Sequence, residues 1–209
     1  MLEDPSRAGG HLGSAGVSRI HDPETTLEVS VPETLKFLRE ENLDIPIIAA
    51  GGIINRSDVD RILALGASGV QMGTRFLATH ESGASQEFKE GVIRAEEGNI
   101  LEYISNAMLP ARALKESGIF EIIADRVAKT RECVENCLTH CAYRDGIGVL
   151  PSGETPAQMC ILRALAHATE GNKKEAGKRA LYFTGTSATR IQTLESVKSI
   201  MDGLVGKGI

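Results

Sequence analysis

Two short apolar runs, each ended by glycine and separated by an amphipathic stretch, constrain this chain more than any other feature. The first, Ile45-Pro46-Ile47-Ile48-Ala49-Ala50, stops at Gly51-Gly52; the second, Ser68-Gly69-Val70-Gln71-Met72, stops at Gly73-Thr74. Runs apolar on both faces suit a buried parallel strand, because a strand with one wet face alternates. Between them Ser57 offers an N-cap ahead of Val59, Ile62, Leu63 and Leu65, and Gly66 offers a stop. Strand, glycine turn, helix, strand and glycine turn within residues 45–74 predict a right-handed βαβ unit. A helix around 33–42, with Leu35, Phe37 and Leu38 apolar, precedes it.

The fold class expected from this pattern is α/β, the C-terminal portion of a TIM (β/α)8 barrel with added helices. In such barrels ligands sit at the C-terminal ends of the strands, and phosphates commonly lie between the loops after the last two. Ala50, Gly51 and Gly52 fall at one such end, and Met72, Gly73 and Thr74 at the next. Glycine lets backbone N–H groups approach phosphate oxygens, and Thr74 adds a hydroxyl. Tight βα turns also use glycine, so the residues alone leave a purely structural role open. Gln71, polar in an apolar run, is expected to be a buried amide in need of a partner. Upstream, Ala8-Gly9-Gly10-His11-Leu12-Gly13 sets a histidine in a glycine-rich turn after the stump of a strand. Imidazole is the side chain best suited to moving protons near neutral pH, and this turn is expected to open on the same face.

Composition narrows the partners. With 23 basic and 28 acidic residues, a formal charge of -5 and no long single-sign run, the chain has no electrostatic footprint for nucleic acid or an anionic membrane. No run approaches the roughly 18 apolar residues of a membrane span, and the N-terminus lacks a signal architecture. A small-molecule ligand and a cytoplasmic location follow as expectations. Residues 1–82 are expected to form the partial barrel, 83–180 a helical elaboration with helices over 84–97, 110–142 and 156–177, and 181–209 a segment packing back on the barrel. That last segment is expected to hold a short strand at 181–183 and a helix from 188 to about 204. Cys133, Cys137 and Cys141 recur every fourth residue, one stripe if helical. They read as a thiol-lined core face, with a metal or iron–sulfur site using His140 or Cys160 as the alternative.

The motifs AGGHLG, IPIIAAGGI and GASGVQMGTRFLATHES, in that order, resemble the nitronate monooxygenases, formerly 2-nitropropane dioxygenases, and the related FMN-dependent enoyl-ACP reductase II. LPARAL at 109–114, the cysteine cluster and FTGTSATRIQTLESV at 183–197 extend the resemblance across nearly all of the chain. It implies FMN as cofactor, His11 as the active-site residue, and Gly10, Ala50, Gly51, Gly52, Gln71, Met72, Gly73 and Thr74 around the FMN phosphate, with no resident metal. It implies oxidation of nitronates or nitroalkanes by O2, with His11 taking the α-proton of a nitroalkane or positioning a nitronate already formed. The alternatives are NAD(P)H-dependent enoyl-ACP reduction through the same flavin and a non-catalytic phosphate-binding fragment. IMP dehydrogenase and GMP reductase share such turns but need a loop cysteine, and none precedes Cys133. The family's first strands have no counterpart here, so the chain is expected to be the C-terminal part of such an enzyme, joining a homo-oligomer or a complementary N-terminal fragment.

Overall fold

The computed structural model describes residues 1–118, 120, 133, 136–170 and 180–205. Three strands, Leu2–Glu3 (β1), Ile48–Ala50 (β3) and Gly69–Gln71 (β4), form a parallel sheet in the order β1-β3-β4. Leu2 pairs with Ala49, and Ile48, Ala49 and Ala50 pair with Gly69, Val70 and Gln71. The chain is thus an α/β protein, and the βαβ unit expected between 45 and 74 is present. Its strands are less buried than the unbroken apolar runs suggest. Only Ala49 and Ala50 of β3 are buried, and Gln71 is exposed. The reading of Gln71 as a buried amide is therefore corrected: it ends a strand that has a neighbour on one side only.

Arg56–Ala64 (α2) connects β3 to β4, and its cap is Asn55, whose side chain accepts the Asp58 N–H at 2.9 Å, two residues earlier than the cap expected at Ser57. The preceding helix, Leu27–Glu40 (α1), begins well before residue 33 and contains Pro32. Proline there removes one intrahelical hydrogen bond. Burial of Leu27 and Val31 against Ile47, Ala49 and Ile62 offsets the loss, since all belong to one apolar cluster.

Gly10–His11 (β2), Ile100–Ile104 (β5) and Pro110–Leu114 (β6) form a second, antiparallel sheet in the order β2-β6-β5. This corrects the helix expected from residue 110. The alanines at 111 and 113 are fully buried and Arg112 is paired with Glu102 across the sheet, so burial and cross-strand pairing override alanine's helix preference. Further on, the helices are Thr74–Leu77 (α3), Gln86–Ile93 (α4), Ala142–Asp145 (α5), Ile161–Glu170 (α6) and Val197–Val205 (α7). Residues 121–132 and 171–177 of the expected helices lie outside the described residues. Cys137 is exposed, Cys133 half-buried and Cys141 buried, and residues 136–140 are not helical. The three thiols do not line one core face, because the helix that would have aligned them is absent from 136–140. Among the described residues no group of three or more His, Cys, Asp or Glu side chains is arranged to hold a metal.

The C-terminal segment returns to both sheets. Instead of a strand over 181–183, Phe183 makes a single bridge to Ala113, and Leu114 donates to the Tyr182 carbonyl at 2.9 Å. Tyr182 stacks on Phe88 of α4 at 4.5 Å between ring centres. The helix expected from 188 starts only at Val197, because residues 186–190 form a tight 3₁₀ turn. Among the described residues no helix is long and apolar enough to cross a membrane.

Candidate active site

The ends of β1, β3 and β4 and the segment 183–187 enclose a cleft of about 330 Å³. Gly10, Ala50, Gly51, Gly52, Gln71, Met72, Gly73 and Thr74 all line it, so residues from three separate stretches meet on one face. Backbone geometry explains the glycines differently at each position. Gly52 has φ +73°, and a Cβ there would fall 2.7 Å from the Arg7 side chain, so the fold itself requires glycine. Gly73 has φ -105°, open to any residue, and a Cβ there would meet nothing within 4 Å. The fold does not need glycine at 73. A side chain there would instead enter the space of the cleft.

Several cleft residues were not singled out from the sequence. Gly185 donates its backbone N–H to Thr74 Oγ1 at 3.0 Å, which holds the 184–187 loop over the cleft and leaves the hydroxyl proton of Thr74 free to donate. Phe183, Thr184 and Ser187 line the same space, and the Thr184 hydroxyl is buried without a partner among the described residues. A glycine flanked by hydroxyls after Leu181-Tyr182-Phe183 is the signal that could have found them. Arg7, also in the lining, is ion-paired with Glu28 at 2.9 Å and lies 3.5 Å from Asp4. Glu3 at the cleft edge has its carboxyl raised by burial, against the lowering effects of the Gly13 N–H and the Arg112 guanidinium.

The Gly51-Gly52 turn is clamped from outside. Asp58 accepts the Ile54 N–H at 3.0 Å and Arg190 Nη2 at 2.8 Å, and Arg190 Nη1 reaches the Gly52 carbonyl at 3.1 Å. The turn ahead of His11 is held likewise by Arg112, which is buried, donates to the Ala8 carbonyl and pairs with Glu102.

His11 stands just behind the cleft. Its ring meets Phe183 edge-on at 5.5 Å between centres, and its Nε2 lies 2.9 Å from Ser105 Oγ. Phe183 belongs to the lining and His11 does not. Burial lowers the imidazole pKa below 6.5, so the ring is held neutral at neutral pH.

A glycine-lined cleft at the C-terminal ends of parallel strands, with a histidine behind it, is the place where α/β proteins of this kind commonly bind small ligands. The family model for nitronate monooxygenase matches residues 3–207. The chain belongs to the nitronate monooxygenase family, a family of oxidoreductases. It is 35% identical over 126 residues to a probable nitronate monooxygenase of Staphylococcus saprophyticus, covering 58% of this chain and 33% of that protein. It is 37% identical over 94 residues to a probable nitronate monooxygenase of Bacillus subtilis, covering 45% and 25%. Among solved structures it is similar to FabK from Thermotoga maritima, with a TM-score of 0.63 at 26% identity over 97% of this chain and 51% of that one. It is also similar to nitroalkane oxidase from Streptomyces ansochromogenes, with a TM-score of 0.56 at 25% identity over 96% and 48%. The chain thus spans a quarter to a third of these curated relatives in the matched region and about half of the solved chains.

Proposed function

We propose that the chain is the phosphate-binding, C-terminal part of a (β/α)8 enzyme that oxidises nitronates or nitroalkanes with O2 through FMN, acting in the cytoplasm. The observation that carries this reading is the convergence of Gly10, Ala50, Gly51, Gly52, Gln71, Met72, Gly73 and Thr74 on one cleft, with Gly73 leaving open space that its own backbone does not require. Gly51, Gly52, Gly73 and Thr74 would hold the FMN phosphate with backbone N–H groups and the Thr74 hydroxyl. FMN held there would supply the acceptor for the substrate's electrons, with O2 as the oxidant that restores it. His11, behind Phe183 at the edge of this cleft, would take the α-proton of a nitroalkane or position a nitronate already formed.

An adjoining cleft of about 710 Å³ shares Arg7, Gly52 and Ser187 with the first, and its room for a second large ligand favours one further reading, NAD(P)H-dependent reduction of an enoyl thioester. Anaerobic mixing separates the two: bleaching of bound flavin by a nitronate supports the oxygenase, and bleaching by NAD(P)H supports the reductase. The visible spectrum of purified protein tests both. Absence of flavin bands, alone and with an added complementary N-terminal half, would leave only a non-catalytic phosphate-binding module.

A further inference from the structure

Among the described residues that line the glycine cleft, Arg7 is the only cation, and the other charged group, Glu3, is acidic. Arg7 is held from two sides. Its carbonyl accepts the Thr186 N–H at 3.1 Å, on the loop that Gly185 ties to Thr74. Its stem lies against Gly52, where a Cβ would come 2.7 Å from Arg7 Cδ and 3.0 Å from Arg7 Cβ. The residue is thus wedged between the Gly51-Gly52 turn and the 184–187 loop, two walls of the cleft.

The head of this side chain is held less firmly than the stem. Arg7 Nη1 donates to the two oxygens of Glu28 at 2.9 and 3.3 Å, with side-chain exposures of 35% and 40%, so solvent screens the pair. Arg7 Nε lies 3.5 Å from Asp4 Oδ2, which accepts no hydrogen bond, and Arg7 Nη2 donates to nothing among the described residues. Glu28 is shared, because Arg61 pairs with the same carboxylate oxygen. If Arg7 turned away, Arg61 would keep that carboxylate paired. A phosphate monoester carries about 1.5–2 negative charges near neutral pH. Backbone N–H groups and the Thr74 hydroxyl bring only partial positive charge. A guanidinium brings a full charge and a planar fork that matches two phosphate oxygens.

We propose that Arg7 is the counter-charge of this cleft, its guanidinium leaving Glu28 to bind a phosphate monoester seated on the Gly51-Gly52 and Gly73-Thr74 turns. This rests on the reading of the cleft as a phosphate site and adds a specificity to it: the phosphorylated flavin is chosen over the same flavin without its phosphate. Glu28 is the internal rival of that phosphate.

The test is binding of FMN and riboflavin by the full chain, followed by flavin fluorescence, with inorganic phosphate measured by its displacement of FMN. In Arg7→Gln the affinities for FMN and for phosphate are expected to fall roughly tenfold or more, with riboflavin binding unchanged and with partial recovery in Arg7→Lys. Equal weakening of FMN and riboflavin would make Arg7 a structural residue and overturn the proposal, as would unchanged FMN affinity in folded Arg7→Gln. If Arg7→Gln does not fold, Glu28→Gln reads the same contact from the other side. Removing the rival should tighten FMN and phosphate severalfold, and no change would overturn the proposal. Loss of FMN in Gly73→Val with unchanged binding in Arg7→Gln would sink the role of Arg7 and keep the phosphate site. Absence of FMN and phosphate binding in the unaltered chain, or unchanged binding in both variants, would take the phosphate from this cleft and the proposal with it.

Discussion

A Cβ placed on Gly9 would lie 2.2 Å from the carbonyl carbon of Thr184, so the turn ahead of His11 and the C-terminal loop touch backbone to backbone. Gly9→Ala must push the loop outward, at about 1–3 kcal/mol for an overpacked contact. The same displacement pulls Gly185 from Thr74. We expect a lower denaturant midpoint and loss of cofactor retention together, checked by chemical unfolding and by flavin content after gel filtration.

Gly73→Val is expected to separate those two effects. Its backbone conformation is ordinary and its surroundings open, so stability should stay within about 0.5 kcal/mol, while flavin retention falls at least tenfold. Gly52→Val, at positive φ and against Arg7, should lose both. Unchanged flavin content in Gly73→Val would remove the phosphate from this cleft.

Arg112 is buried between Glu102 and the Ala8 carbonyl. Arg112→Met keeps the apolar stem but leaves Glu102, among the described residues, with the His21 ring 3.0 Å away as its remaining side-chain partner. Because the Glu102 side chain keeps 21% exposure, the cost should be about 2–3 kcal/mol, short of the roughly 3–5 kcal/mol for breaking a fully buried pair. Urea unfolding of the two proteins measures it.

Burial depresses the His11 pKa below its unfolded value of 6.5. The neutral ring is therefore favoured by folding: its contribution is fully present above pH 6.5 and is lost as pH falls through the folded value. His11→Asn should flatten the acid side of the stability profile in that window, as followed by urea midpoints across a pH series. A parallel profile for both proteins would mean the imidazole is not protonated in the unfolded state alone.

For turnover, His11→Asn should lower kcat/KM on a neutral nitroalkane by about 10²-fold or more, the scale of losing a general base, and should spare much of the activity on a nitronate that has already lost its proton. Steady-state rates on the two substrates decide it, and equal losses on both would mean that His11 positions the nitro group and is not the base.

The parallel βαβ unit was legible because an apolar run cut by glycine leaves few choices: Ala49 and Ala50 are buried, and Gly51 and Gly52 turn with positive φ. The cleft lining followed from the same turns. What the sequence hid was long-range. Pro110–Leu114 reads as helical from its alanines, and only the pairing with Gly10–His11 and Ile100–Ile104 makes it a strand. Ser105 is an ordinary turn serine until the fold brings it to His11, 94 positions away. Gln71 was legible as a cleft residue, though for the wrong reason, since its amide is exposed and not buried.

The hydrogen bond from Gly185 to Thr74 joins residues 111 positions apart. On a ribosome adding about 5–20 residues per second, the glycine turns emerge on the order of ten seconds before the loop that covers them. During that interval the nascent chain carries an unfinished cradle with Thr74 uncommitted. A ligand that needs the finished cleft can therefore be held only after Gly185 has emerged, and translational pausing ahead of residue 183 would lengthen the time during which the half-built site stands open.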